Sequence, residues 1–284
     1  MSPRWRVIGA RTAFRWGIPL AAAALMLGSL GLAAGSAGAA TTGTHLGMTH
    51  TRPGGAAVGG FQPGGLIKAH SSGAARSVTD GSTSSTNWSG YVLTGGTGAF
   101  TSVSSSWTEP AASCSSGTQY AAFWVGLDGY NSGSVEQIGT DSDCNGGTPD
   151  YYGWYEMYPA DPVYFTNPVA PGDSLSASVT VSGTSYVLTL TDSTQGWTQT
   201  ENESGSYSDS SAEVITEAPS SSQGPLPLAD FGTINYSGSA ANGTSFGSQN
   251  PTSITMVGSS GDQLDATSAI DGSGDFSNTW QAGS

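Results

Sequence analysis

Basic side chains are missing from most of this chain. All seven Lys and Arg residues and all three His residues lie at or before Arg76, whereas the 21 Asp and Glu residues run from Asp80 to Asp275. From about residue 80 onward the chain is a polyanion without a cation. Nucleic-acid binding and adsorption to anionic lipid both depend on cations, so that segment is excluded from both. It cannot form salt bridges, and at neutral pH its summed field repels itself. Protonation relieves the repulsion, so the segment is expected to be most stable, and to work, in acid.

The same absence narrows the chemistry. Without His or Lys there is no Ser-His-Asp or Cys-His arrangement, no Ser-Lys dyad, no Schiff-base lysine and no His-ligated metal. Neither Asp-Thr-Gly nor Asp-Ser-Gly occurs, which leaves a pepsin-type aspartate pair unsupported. Gly-rich stretches such as 95–98 lack the Lys and the helix of a phosphate loop. Carboxylate, amide and hydroxyl remain for acid–base work, and no metal or other cofactor is expected.

Cysteine is scarce, with Cys114 and Cys144 alone present. An even pair in an exported chain implies a disulfide, here closing a loop around the 121–140 segment and worth about 3 to 4 kcal/mol by loop entropy. Long apolar runs are scarce too. The run at 20–32 follows Arg4, Arg6, Arg11 and Arg15 and precedes Ala37-Gly38-Ala39, the pattern of a secretory signal peptide over residues 1–39. Residues 40–82, rich in Gly, Ala, Ser and Thr, read as a flexible leader or propeptide whose cations could pair with the anionic domain and loosen in acid. Residues 83–284 then form one exported domain that acts outside the cell, has no membrane attachment in its mature form and, given its charge, stays monomeric.

After residue 40 no stretch keeps helical spacing. Short alternating runs take its place, separated by Gly, Ser, Asn and Pro. Leu175, Ala177, Val179 and Val181 alternate toward a turn at Ser182-Gly183-Thr184, and Tyr186, Leu188 and Leu190 alternate back. Strands at roughly ten-residue intervals fit an all-β sandwich of antiparallel sheets. The segment 121–140 reads as a hairpin carrying polar groups that a hairpin does not need. Alternation sets Trp124, Gly126 and Asp128 on one face and Phe123, Val125 and Leu127 on the other, while the face of Gln137 stays open. In 150–159 the residues Tyr152, Trp154, Glu156 and Tyr158 share a face. In 211–219 Glu213, Ile215 and Glu217 do. Taken singly, each could equally be a solvated face or a carbohydrate-stacking surface.

Taken in order, these stretches resemble a known family. Asn87-Trp88-Ser89-Gly90-Tyr91, Phe123-Trp124-Val125-Gly126-Leu127-Asp128-Gly129, Glu136-Gln137-Ile138-Gly139-Thr140, Trp154-Tyr155-Glu156-Met157-Tyr158-Pro159 and Ala212-Glu213-Val214-Ile215-Thr216-Glu217 are similar to motifs of the glutamic peptidases, or eqolisins. The resemblance covers about residues 85–270. It implies a lectin-like sandwich of two antiparallel sheets and a secreted, acid-active endopeptidase acting on proteins or peptides. It further implies a Gln/Glu dyad, with Gln137 stabilising the oxyanion and Glu217, the second Glu of its motif, activating water. Trp124, Asp128, Glu156 and Tyr158 match residues that line the family's cleft. A second reading is a secreted carbohydrate-binding or glycoside-hydrolysing sandwich, since carboxylates among Trp and Tyr also describe a sugar cleft.

Overall fold

The structure, a computed structural model, describes residues 81–283 together with the two-residue strand Met48–Thr49. The expected signal peptide lies outside those residues, and so does nearly all of the expected leader. Alternating apolar positions and closely spaced turn residues yield fifteen strands of three or more residues among the described residues. In chain order they are β1 (Ser82–Ser85), β2 (Trp88–Thr94), β3 (Ser102–Thr108), β4 (Ala122–Leu127), β5 (Val135–Asn145), β6 (Thr148–Tyr158) and β7 (Val163–Phe165). There follow β8 (Ser174–Ser182), β9 (Ser185–Asp192), β10 (Trp197–Ser204), β11 (Ser211–Glu217), β12 (Thr233–Ala241), β13 (Thr252–Val257), β14 (Gln263–Thr267) and β15 (Phe276–Trp280).

The strands form two antiparallel sheets, as the alternation predicts. One runs β7-β6-β5-β4-β11-β2-β13, and β1 adds to its β13 edge in parallel. The other runs β10-β9-β8-β3-β12-β15-β14. A short pairing of β13 with β14 joins them. Met48–Thr49 pairs with β7 at the opposite edge of the first sheet. Among the described residues no helix is long and apolar enough to cross a membrane.

Between the sheets Phe123, Val125, Leu127, Ile138 and Val214 pack against Val179, Leu188 and Tyr236. Full burial of each such side chain contributes about 1.5 to 3 kcal/mol. The outer face of the first sheet is also covered: Trp88, Trp124, Tyr152, Trp154 and Ile215 form a second cluster there. Central strands β4 and β11 are therefore buried along both faces. Polar residues that alternation sends to that outer face lie among aromatic rings rather than in water.

The expected disulfide is formed between Cys114 and Cys144, tying the segment before β4 to the end of β5. With no cation available, buried carboxyls are held by hydroxyls. Glu109 takes hydrogen bonds from Thr140 Oγ1 at 2.6 Å and Ser142 Oγ at 2.7 Å, and Asp265 takes one from Ser89. Burial pushes Glu109 up to about 8 and Asp265 up to about 7, so both are neutral acids in the acid range.

Candidate active site

Antiparallel register lines up side chains across the first sheet in rows on its outer face. One row reads Glu156 (β6), Gln137 (β5), Gly126 (β4), Glu213 (β11) and Val92 (β2). The next reads Trp154, Gly139, Trp124, Ile215 and Gly90, and the third Tyr152, Asp141, Ala122, Glu217 and Trp88. Gln137 thus shares a face with Val135 and Gly139, which settles the face that alternation left open.

Gln137 and Glu213 stand on either side of a residue without a side chain. With strands about 4.8 Å apart, their backbones lie about 10 Å from one another. The gap above Gly126 is closed by the Trp124 ring: a Cβ there would come within 2.9 Å of the ring's Cζ3 and 3.2 Å of Gln137 Cβ, so a methyl group already crowds it.

Glu217 is two rows further along, about 13 Å from Glu213 along β11 at about 3.3 Å per residue. Its carboxylate accepts from Trp124 Nε1 at 3.0 Å and Asn87 Nδ2 at 3.2 Å. It anchors the indole that closes the gap, and Trp124 in turn meets the Trp88 ring edge-on at 4.9 Å. The charge of Glu217 acts on Glu156, which Gln137 contacts, whereas the acids acting on Glu213 are Asp128 and Glu136. Of the two glutamates in the 211–217 motif, the sequence resemblance favours the second as Gln137's partner, and the first shares Gln137's row.

The other expected cleft residues divide. Trp124 floors the gap, Glu156 neighbours Gln137 in its row, and Tyr158 is half-buried against the outer aromatic cluster. Asp128 is turned away from that face. Its backbone has φ 68° where β4 ends, and its carboxylate accepts from the Ser208, Asp209 and Ser210 backbone N–H groups and from Ser210 Oγ, all at 2.7 to 2.9 Å. It anchors the chain entering β11, and alternation failed there because the strand had already ended. Asp128, Glu136 and Asp209 bring carboxylate oxygens within 4.8 Å of one another. Those four donors already occupy Asp128's lone pairs, so the trio is poorly suited to hold a metal ion.

Electrostatics sets Glu213 and Glu156 apart. Neither oxygen of Glu213 has a hydrogen-bond partner of good geometry among the described residues, though the side chain is fully buried. Burial raises its pKa well above the carboxylate range, the nearby Ser211 hydroxyl opposes this, and the charges of Asp128 and Glu136 add to it. Glu156 is raised well above its usual value too, chiefly by burial, with the Gln137 contact opposing and Glu217, Asp161 and Asp141 adding.

Below this row Trp154 Nε1 donates to Asp141 at 2.7 Å, and the Tyr152 hydroxyl meets both Asp141 and Asp143, at 2.9 and 2.5 Å. Trp88 and Asp141 had no assigned place in the site from sequence. Both follow from the pairing of their strands with Glu217 and Tyr152.

Over residues 86–280 the chain matches the Peptidase A4 family. It is 30% identical over 200 residues to aspergillopepsin-2 of Aspergillus niger, an alignment spanning 61% of this chain and 70% of that protein. In three dimensions it is similar to scytalido-glutamic peptidase, solved with a transition state analog inhibitor, with a TM-score of 0.60 at 27% identity over 69% of this chain and 98% of that one. It is similar also to SCP-B, a member of the eqolisin family of peptidases solved with the tripeptide Ala-Ile-His, with a TM-score of 0.58 at 26% identity over 69% and 98% of the two chains.

Proposed function

Given that this chain belongs to the peptidase A4 family, the glutamic peptidases, we propose that it is a secreted acid endopeptidase in which Gln137 and Glu217 carry out the hydrolysis of peptide bonds. The observation that supports this pair is the set of contacts around Trp124 and Glu156: Gln137 contacts Glu156, the charge of Glu217 acts on that same Glu156, and Glu217 accepts from Trp124 Nε1. Protein or peptide substrates are the expected partners. The chemistry asks for neither a metal nor an organic cofactor.

The mechanism follows from what the two side chains can exchange. The Glu217 carboxylate takes a proton from water as the water oxygen bonds to the scissile carbonyl carbon and the carbonyl electron pair moves onto its oxygen. As the tetrahedral intermediate collapses and the C–N bond breaks, Glu217 returns that proton to the leaving nitrogen, so the carboxylate is regenerated. The amide N–H of Gln137 faces the oxygen on which charge develops, a donor worth roughly 3 to 4 kcal/mol at the transition state. A histidine would be charged at this pH and useless as a base.

Gln137 and Glu217 are fully buried. Removal of residues 40–82, read as a leader, is expected to precede turnover. The test is hydrolysis of a denatured protein from pH 2 to 8 by the processed enzyme and by its Gln137→Ala and Glu217→Gln variants. Acid-confined activity, unaffected by pepstatin or EDTA and lost in both folded variants, is the expected result. A folded, processed protein that cleaves glycans and no protein at any pH would overturn the reading.

A further inference from the structure

Gln137 can serve as an oxyanion donor only if its amide turns its NH2 group toward the gap above Gly126. An amide's nitrogen and oxygen are close to interchangeable in shape, so the neighbour in the row decides which one faces the gap. That neighbour is Glu156, whose Oε2 lies 2.6 Å from the Gln137 amide. Such a separation is shorter than the 2.7 to 3.2 Å of ordinary N–H···O bonds and lies within the 2.5 to 3.0 Å range of O–H···O bonds. The other Glu156 oxygen has no hydrogen-bond partner among the described residues, and the side chain is fully buried. An ionised carboxylate with one bare oxygen is costly at such a place, whereas a carboxylic acid is not.

Resting on the Gln137/Glu217 reading, we propose that Glu156 is a positioning residue: as a carboxylic acid it donates its proton to the Gln137 amide oxygen and so turns the amide NH2 group toward the scissile carbonyl. Every titratable group acting on it is acidic. Glu217 faces it from β11, Asp161 from the turn after β6 and Asp141 from β5, and no cation exists after residue 76. All of these favour the neutral form in acid. As pH rises and Glu156 ionises, it can only accept a hydrogen bond. The amide then reverses and presents its oxygen to a developing oxyanion, which is the wrong polarity. Loss of activity on the alkaline side accordingly reports the proton on Glu156.

The decisive variant is Glu156→Gln, whose own NH2 group donates to the Gln137 oxygen at every pH. Its kcat is expected to stay within about tenfold of the wild type at the acid optimum, and its alkaline limb to move to higher pH. Glu156→Ala, which cannot donate, is expected to lose roughly 100-fold or more in kcat with little change in KM. An alkaline limb for folded Glu156→Gln that superimposes on the wild type in position and slope would overturn the proposal. The carboxyl 13C shift of Glu156 in the unmodified enzyme tests it without a variant: protonated at the pH of maximal kcat supports it, ionised there overturns it. Retained turnover in Gln137→Ala and Glu217→Gln would instead sink the dyad itself, so the two failures are distinguishable.

Discussion

Exchanging one carboxylate for an amide at two positions of the same strand separates chemistry from support. In Glu217→Gln the side chain keeps its size but loses the ability to take a proton from water. Proton transfer by a placed side chain typically contributes 10²- to 10⁴-fold, so kcat is expected to fall by about 10³ or more, or about 4 kcal/mol. The amide oxygen can still accept from either Trp124 Nε1 or Asn87 Nδ2, and its NH2 group then faces the other donor. Losing one hydrogen bond to a charged acceptor costs about 1.5 to 3 kcal/mol of stability. In Glu213→Gln a buried acid with a raised pKa is replaced by an amide, so folding should survive and turnover should stay within roughly tenfold of the wild type. The assay is kcat on a quenched fluorescent peptide at the acid optimum, beside a urea midpoint for each variant. A fully active Glu217→Gln together with a dead but normally stable Glu213→Gln would refute the assignment and move the proton transfer to Glu213.

Stability should fall as pH rises. Glu109, Glu136 and Asp265 have folded pKa values of about 8, 9 and 7, all raised mainly by burial. A raised carboxyl binds its proton more tightly folded than unfolded, so its stabilisation is complete below the unfolded value near 4 and is lost through the folded value. Each costs about 1.4 kcal/mol per pH unit across that window. Urea midpoints should therefore be highest near pH 3 to 4 and drop between pH 5 and 8; a steady climb over that range contradicts the argument. Gly126→Ala places a methyl group 2.9 Å from the Trp124 ring and 3.2 Å from Gln137 Cβ. Its kcat is expected to fall at least tenfold while the fold is retained, by about 1 to 3 kcal/mol of overpacking; unchanged kinetics would mean that no reacting group enters the gap. Asp128→Ala removes four hydrogen bonds from residues 208–210, so the amide protons of that segment should exchange markedly faster, which hydrogen exchange reads directly.

Much of the architecture was legible from alternation. The 175–190 hairpin, the shared face of Tyr152, Trp154 and Glu156, and the shared face of Glu213, Ile215 and Glu217 all follow from a period of two and appear in the strands. What alternation does not carry is register between strands distant in sequence. β11 lies beside β4 although more than 80 residues separate them, and nothing local in 211–217 says which glutamate will meet Gly126. One step of two residues in that pairing would exchange Ile215 for a glutamate in the row. Asp128 misled for a different reason. It follows the last strand residue, Leu127, and a left-handed backbone at that point redirects the side chain. Asp-Gly turn chemistry at 128–129 was the available clue.

The absence of cations and the placement of acids on this sheet form one arrangement. A buried carboxylate normally needs a positive partner, and one without it shifts its pKa until it is neutral. Glu109, Glu136, Glu156, Glu213 and Asp265 all show that shift, and burial is the largest cause in each. Neutral carboxylic acids are donors as well as acceptors, so a domain built from them can satisfy its interior and orient an amide with one kind of group. A Lys or Arg added beside Glu213 would hold it ionised. In Ile215→Lys, whose side chain lies one row from Glu213 on the same face, the Glu213 carboxyl 13C shift should report an ionised group and the urea midpoint should lose part of its rise toward acid. A Glu213 that stays protonated beside the new lysine would show that burial alone, and not the want of a cation, keeps these acids neutral.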